Sequence, residues 1–392
     1  MKQQKKNRYI SYALMYATYN IAMALFAAII SIYLMGIGLS AVQVSLLISI
    51  SSVSSMVSQP VIGFLQDRFS RKSVTVVMLL ISAVTGIIFS RMRSFVPLIV
   101  FYSVTSLLMY GANPYIERLA AVCRDYSYKS MRIWGTVGYA VASQAAGIIY
   151  DRLSGGSNYY FYFFFIIAAA VSVMSIRTGE AEEGKAEEKK TVGKNYRREV
   201  LKNGNFIKYM IVMAMYYGTM NLNYIYLPSL YQSEGVPVTL VTTIMFLSTM
   251  MEIPILFLMP RMMKRFHNVQ LLTIAFSIAF SQYLLYVLIP VPAVQAAVTF
   301  LTRGPMTMII IMTNMKMITD IVPPAYQMSA LTLNSAIAGS LSAIVMQNIG
   351  GQIIDRYSIH TLYAFMAGVM AVGLILLYAL KIPKGEQRDM FT

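Results

Sequence analysis

The sequence predicts an all-α polytopic membrane protein of twelve transmembrane helices in two six-helix repeats, and three observations carry that expectation. Of its 392 residues, 57% are apolar and only 12% charged, about half the charged fraction of a soluble protein; the mean hydropathy is +0.60. Twelve apolar stretches follow one another, each near the roughly 20 residues a helix needs to cross a hydrocarbon core. One highly charged segment parts them six from six.

The stretches lie at 9–36, 41–65, 74–92, 96–117, 132–150 and 159–176, then at 206–230, 239–260, 269–289, 293–318, 328–350 and 359–381. The first follows Met1-Lys-Gln-Gln-Lys-Lys, a basic start that could open a signal peptide. Its apolar run is too long for a signal core, so it reads as a retained span. Residues 177–205 hold 14 charged residues in 29, too little apolar area to order deeply, and read as a solvated linker. The expected organisation is an N-terminal bundle over 1–176, this linker over 177–205 and a C-terminal bundle over 206–392. The halves also echo each other. Gly147-Ile-Ile-Tyr-Asp151-Arg152-Leu-Ser154 returns 204 residues later as Gly351-Gln-Ile-Ile-Asp355-Arg356-Tyr-Ser358. Asp67-Arg68-Phe69 returns more loosely as Lys264-Arg265-Phe266, 197 residues on.

Lys and Arg outnumber Asp and Glu by 32 to 16. In a soluble chain that excess would point to nucleic acid. Placed against the spans, 26 of the 32 fall on the face that carries both termini and the linker, four fall on the opposite face, and Arg132 and Arg303 lie inside spans. The positive-inside rule then puts the termini in the cytoplasm of a multi-pass inner-membrane protein and removes the nucleic-acid reading. A lone Cys123 excludes an internal disulfide or a cysteine-based metal cluster. His267 and His360 are far apart in sequence, and no GxxxxGK[ST] loop occurs, so no metal or other cofactor is expected. With no acid pair and no nucleophile beside a base, the chain does not read as an enzyme.

After the second span stands Gly63-Phe-Leu-Gln-Asp67-Arg68-Phe69-Ser70-Arg71-Lys72, which resembles the signature loop of the major facilitator superfamily, with Ser70 at the usual second glycine. The resemblance implies the major facilitator fold and a gate at the cytoplasmic side in which Asp67, Arg68 and Arg71 act, with Arg118 as a partner. A topology-setting basic loop accounts equally for Arg71 and Lys72. Tyr115-Ile-Glu117-Arg118, then Met131-Arg132-Ile-Trp134-Gly135-Thr136-Val-Gly138-Tyr139, looks like the lactose permease group of oligosaccharide, nucleoside and aromatic-acid proton symporters over about 35 residues. That likeness implies that Arg132 binds solute oxygens and that Tyr139 stacks on a ring. Asn113 stands where the group has a carboxylate. In the second half, Arg303 and Met306 stand where the group has its proton-coupling His and Glu, which leaves Glu252 as the proton-coupling candidate.

Ionisable groups inside a membrane span cost at least about 2.5–3.5 kcal/mol each and normally face a polar cavity or a partner. Glu252 and Arg303 sit near the middle of spans eight and ten, where they could pair. Either solute and proton compete for that pair, or it is a static bridge between two helices. Arg132, Thr136, Tyr139 and Ser143 form one stripe of span five at spacings of four, three and four, suited to a sugar or conjugated ring; Arg132 could alternatively snorkel to headgroups. Tyr16, Tyr19 and Asn20 on span one, and Tyr217, Asn221 and Tyr224 on span seven, recur at helical spacing and offer uncharged hydrogen bonds. Asp151-Arg152 and Asp355-Arg356 read as caps.

By its resemblance the chain is expected to be a monomeric secondary transporter in the lipid bilayer, moving a small polar solute by alternating access with proton symport. Two alternatives stand beside it: transport of an organic anion by the two deep arginines, and a non-transporting receptor or scaffold on the same fold.

Overall fold

The computed structural model describes residues 2–122, 128–176, 202–323 and 327–384. Most of the expected linker lies outside them. The described residues are helical nearly throughout: α1 Lys2–Ala27, α2 Ile30–Gly36, α3 Ala41–Arg68, α4 Arg71–Arg91, α5 Phe95–Val122, α6 Tyr128–Arg152, α7 Ser157–Ser175, α8 Gly204–Ser233, α9 Val238–Met250, α10 Glu252–Arg265, α11 Asn268–Leu288, α12 Pro292–Ile321, α13 Gln327–Asn334, α14 Ser342–Arg356 and α15 Ile359–Ala379. A π-helical segment, Ser335–Leu341, joins α13 to α14.

Each of the twelve apolar stretches is helical, and three are interrupted where one straight span was expected. The first breaks at residues 28–29, the eighth at Met251 and the eleventh at the π segment. The break in the eighth follows from Pro254. A proline inside a helix lacks an N–H, and its ring clashes with the carbonyl four residues back, here that of Met250, where α9 ends. Pro254 then falls in the first turn of α10, where no N–H is needed. In the eleventh, Ser340 Oγ donates to the carbonyl of Ser335, and the i→i+5 pattern inserts an extra residue into the turn.

Eight helices among the described residues are long and apolar enough to cross a membrane. The eight do not include α6, α8, or the α9–α10 pair, which carry most of the polar residues singled out above. Outward-facing side chains such as Val96, Phe164, Phe257 and Ile375 are exposed and apolar, as a lipid-facing surface requires. This is a multi-pass membrane protein.

The chain forms two compact units, Met1–Glu188 with Pro237–Thr242, and Lys189–Val236 with Thr243–Thr392. In the first, α1 packs on α6 and α7, α4 on α5 and α7, and α3 on α5. In the second, α8 packs on α14 and α15, α11 on α12 and α15, and α10 on α12. The pairing is the same, element for element. Matching hydrogen bonds fix it: the Tyr19 hydroxyl donates to the carbonyl of Met109 and that of Tyr216 to the carbonyl of Met306. Both partners are offset by 197 residues, the spacing of the looser sequence echo.

Small residues let these helices approach. On α6, a Cβ at Gly135 would lie 2.3 Å from the Tyr16 ring, and one at Gly138 would lie 3.0 Å from the carbonyl of Ala17. Both glycines therefore serve helix packing. Asp151, expected as a cap, caps a helix other than its own: its carboxylate accepts from the backbone N–H of Val238 at 3.2 Å and of Thr239 at 2.6 Å, in the first turn of α9. Negative charge is favoured there.

Candidate functional site

In the second unit the α9–α10 break sets the geometry. Glu252 becomes the first residue of α10 rather than a mid-helix residue. Directly opposite on α12 is Gly304, where a Cβ would lie 2.7 Å from the Glu252 nitrogen and 2.7 Å from the Met251 carbonyl carbon. Only glycine lets the two backbones come this close. Arg303 precedes Gly304, so close approach of the backbones brings the guanidinium toward the carboxylate. The two charges act on each other without forming a direct ion pair among the described residues. Instead the guanidinium carbon lies 5.6 Å from the centre of the Tyr224 ring on α8, a cation–π arrangement. Arg303 Nη1 is buried and has no hydrogen-bond partner among the described residues. Pro305, next in sequence, removes one more backbone donor from α12.

Tyr217 and Asn221 stand further back on α8. Asn221 donates its amide to the carbonyl of Tyr217 at 2.8 Å, and the Tyr217 ring meets Tyr216 edge-on with centroids 6.0 Å apart. The structure thus brings Tyr224, Glu252 and Arg303 together, with Tyr217 and Asn221 one to two turns along the same helix. Met306 is buried and its carbonyl accepts from Tyr216.

In the first unit Tyr16 is buried and donates to Glu117 Oε1 at 2.7 Å. Asn20 repeats the Asn221 arrangement, donating to the carbonyl of Tyr16 at 2.8 Å. Gly135 packs against both side chains. Helix α6 turns Gly135 and Gly138 toward α1; Thr136 falls on another face, and Tyr139, one turn beyond Gly135, packs against the core of the first unit. Thr136 is exposed and Tyr139 half-buried, and Ser143 donates to the Tyr139 carbonyl. Asn113 is half-buried on α5, beside the in-helix Pro114. The Arg132 side chain lies outside the described residues, as do those of Asp67 and Arg68. Arg71 opens α4 and Arg118 stands on α5, both half-buried. Lys72 ties two helices together, since its ammonium donates to the carbonyls of Met174 and Ile176 at the end of α7.

Two features were not legible in the sequence. Lys316, counted among the cytoplasmic-face charges, is fully buried and donates to the carbonyl of Met263. A buried polar cluster near one end of the second unit joins Tyr231, Gln282, Tyr286, Gln295 and Thr299. Its residues come from three helices, and the four-residue spacings within α11 and α12 do not show that these faces meet each other and Tyr231.

The MFS_1 like family model matches residues 9–365. Maltose permease of Geobacillus stearothermophilus is 23% identical over 350 residues, covering 87% of this chain and 86% of that protein. Transporter YwbF of Bacillus subtilis (strain 168) is 21% identical over 353 residues, covering 89% and 87%. Among solved structures, the nucleoside transporter NupG superposes with a TM-score of 0.83 at 15% identity, over 95% of this chain and 98% of that one. A D-xylose-proton symporter superposes with a TM-score of 0.68 at 12% identity, over 97% and 98%. The two repeats of six spans and a family match across nearly the whole length agree: the chain belongs to the MFS_1 like family and is a transporter of the major facilitator type, not an enzyme.

Proposed function

We propose that the protein moves a small hydroxylated solute, of the sugar or nucleoside class, across the cytoplasmic membrane by alternating access coupled to protons. The observation that carries this reading is the Tyr224–Arg303–Glu252 arrangement. A planar cation lies over an aromatic ring with one buried nitrogen unsatisfied, and a carboxylate stands near it without being locked to it. A hydroxylated ring offers oxygens to the guanidinium and a face to the phenol. The carboxylate supplies a proton acceptor whose charge state alters its hold on Arg303. Protonating Glu252 frees the guanidinium for solute, and releasing the proton draws it back. In the first unit, Arg132, Thr136, Tyr139, Asn113, Asn20 and Tyr16 are the candidate solute contacts, and Asp67, Arg68, Arg71 and Arg118 the candidate cytoplasmic gate. The relatives named for maltose, nucleosides and xylose support the solute class, and the named proton symporter supports the coupling. The basic-residue asymmetry supports cytoplasmic termini.

The test is uptake of labelled maltose and uridine into proteoliposomes under an imposed pH gradient. Wild type accumulates one of them, and Glu252→Gln loses at least about tenfold of gradient-driven uptake, equivalent to about 1.4 kcal/mol, while retaining solute exchange. Equal accumulation by Glu252→Gln would remove the coupling role. A second reading, transport of an organic anion, is favoured by the unpartnered Arg303 Nη1 alone. An aromatic carboxylate in the same assay decides it, since only that reading predicts its uptake in preference to the neutral solutes.

A further inference from the structure

A second carboxylate in the second unit is buried beside an amide at the end of α8. Glu234 follows the last residue of α8 and turns its side chain inward, leaving it 10% exposed. Four elements meet around it. Tyr231 stands one turn back on α8, and Glu234 acts on it electrostatically. From α11 comes Tyr286, whose carbonyl shares the amide of Gln295. Gln295 itself, 1% exposed, lies in the first turns of α12. From α15 come Tyr363, also under the charge of Glu234, and His360 at the surface, with Nε2 3.9 Å from Glu234 Oε1. No lysine or arginine pairs with Glu234 among the described residues.

The hydrogen-bond inventory of the Glu234–Gln295 pair is one proton short. Gln295 Nε2 donates to Glu234 Oε1 at 2.9 Å and to the Tyr286 carbonyl at 3.4 Å, and the two acceptors fix which end of the amide is nitrogen. The remaining atoms of the two groups, Glu234 Oε2 and Gln295 Oε1, are both buried and both without a partner. Neither of these acceptors finds a donor in the other group, and an unsatisfied buried polar atom costs about 1–3 kcal/mol. A single proton on Oε2 turns one acceptor into a donor. The carboxyl and the amide can then close a reciprocal pair, N–H to Oε1 and O–H to the amide oxygen, with no net charge left buried.

We infer that Glu234 is a proton-binding site of the second unit, loaded through His360 and held in its neutral form by Gln295. In the loading step, His360 takes a proton at Nε2 from hydronium in bulk solution, releasing water. A rotation of the exposed imidazole brings Nε2 to Glu234 Oε1, the proton passes to that oxygen and neutral imidazole remains; a half-turn of the carboxyl group then sets the protonated oxygen toward Gln295 Oε1 and leaves the other oxygen to accept from the Gln295 amide. The positions that follow lead inward: Gln295, Thr299 and Arg303 repeat every four residues on one face of α12, and Thr299 links the hydroxyls of Tyr231 and Tyr286 at hydrogen-bond distance. The site's role as the outer supply of protons to Glu252 rests on the coupling reading above; its protonation does not.

Infrared difference spectra of the purified full-length protein, taken against pH without any solute, test the site directly. Wild type is expected to gain a carboxylic-acid carbonyl stretch as the pH falls, and Glu234→Gln to lose that component. His360→Gln keeps it and moves its midpoint upward, because a nearby cation favours the ionised carboxylate. Spectra of Glu234→Gln that match wild type, or a midpoint unmoved in His360→Gln, overturn the assignment. Glu234→Gln mimics the neutral acid and can still close the pair, so it is expected to melt no lower than wild type at neutral pH; a lower melting temperature counts against the inference. Gradient-driven uptake of labelled maltose separates the roles. Loss in both Glu234→Gln and Glu252→Gln, with exchange retained, supports a supply line. Loss in Glu252→Gln alone removes Glu234 from the coupling path, and loss in neither removes the coupling reading itself.

Discussion

The two units share one framework and differ in what breaks it. In the first, α6 meets α1 at Gly135 through side chains, the nearest atoms to a Cβ there being in the Tyr16 ring, with the looser Gly138 against the Ala17 carbonyl. In the second, α12 meets the α9–α10 break through a glycine that faces backbone, the Glu252 nitrogen and the Met251 carbonyl carbon. A side chain can rotate away from an added methyl, whereas a backbone moves only with its helix. The second unit also holds the deep acid, the buried Lys316 and the π segment. The repeat preserves packing, and the departures from it coincide with polar chemistry, where irregular backbone and charge within a membrane protein are tolerated.

The largest expected contrast comes from the glycines. Gly304→Ala should drive α10 and α12 apart at an overpacking cost of about 1–3 kcal/mol, lowering the melting temperature and cutting uptake at least about tenfold. Gly135→Ala should cost less on both measures, and a larger loss there would reverse the comparison. Next is Arg303→Lys, which keeps the charge and removes the planar fork over Tyr224. Solute affinity, read by thermal shift, should fall by about tenfold with little change in the melting temperature of the solute-free protein, since Nη1 has no partner to lose. Asp151→Asn should remove the negative charge at the first turn of α9 and destabilise by about 0.3–1 kcal/mol, measured by thermal melting. The smallest effect belongs to the matched pair: Tyr19→Phe and Tyr216→Phe each delete one interhelical hydrogen bond, of the class that averages about 0.6 kcal/mol. Equal small shifts in the two would confirm that the framework is energetically as well as geometrically repeated.

The fold was legible because its signals are local. Span length, charge asymmetry and tandem likeness are each properties of a short window, and the membrane leaves few architectures that satisfy every backbone group. The repeat was visible at Asp151-Arg152 and Asp355-Arg356, yet the bond Asp151 makes, to the first turn of another helix, was not. Tyr224, Glu252 and Arg303 were singled out by chemistry and meet in space. Tyr16 was singled out in the same way and is buried against Glu117. Spacing marks a helix face; the neighbour of that face depends on contacts between residues distant in sequence.

What the sequence by itself determined is therefore the membrane class, the two-fold repeat of six spans and the short list of polar residues carried within them. Each is dictated by the cost of placing polar groups in hydrocarbon, which acts on every residue separately. Only the tertiary structure decided that Pro254 would break the eighth span in front of Glu252, that Gly304 would admit that break against α12, and that Glu234 and Gln295 would meet with one oxygen of each left buried and unpartnered. Those outcomes depend on which backbones come within a few ångströms, and packing settles that between segments that carry no local sign of each other.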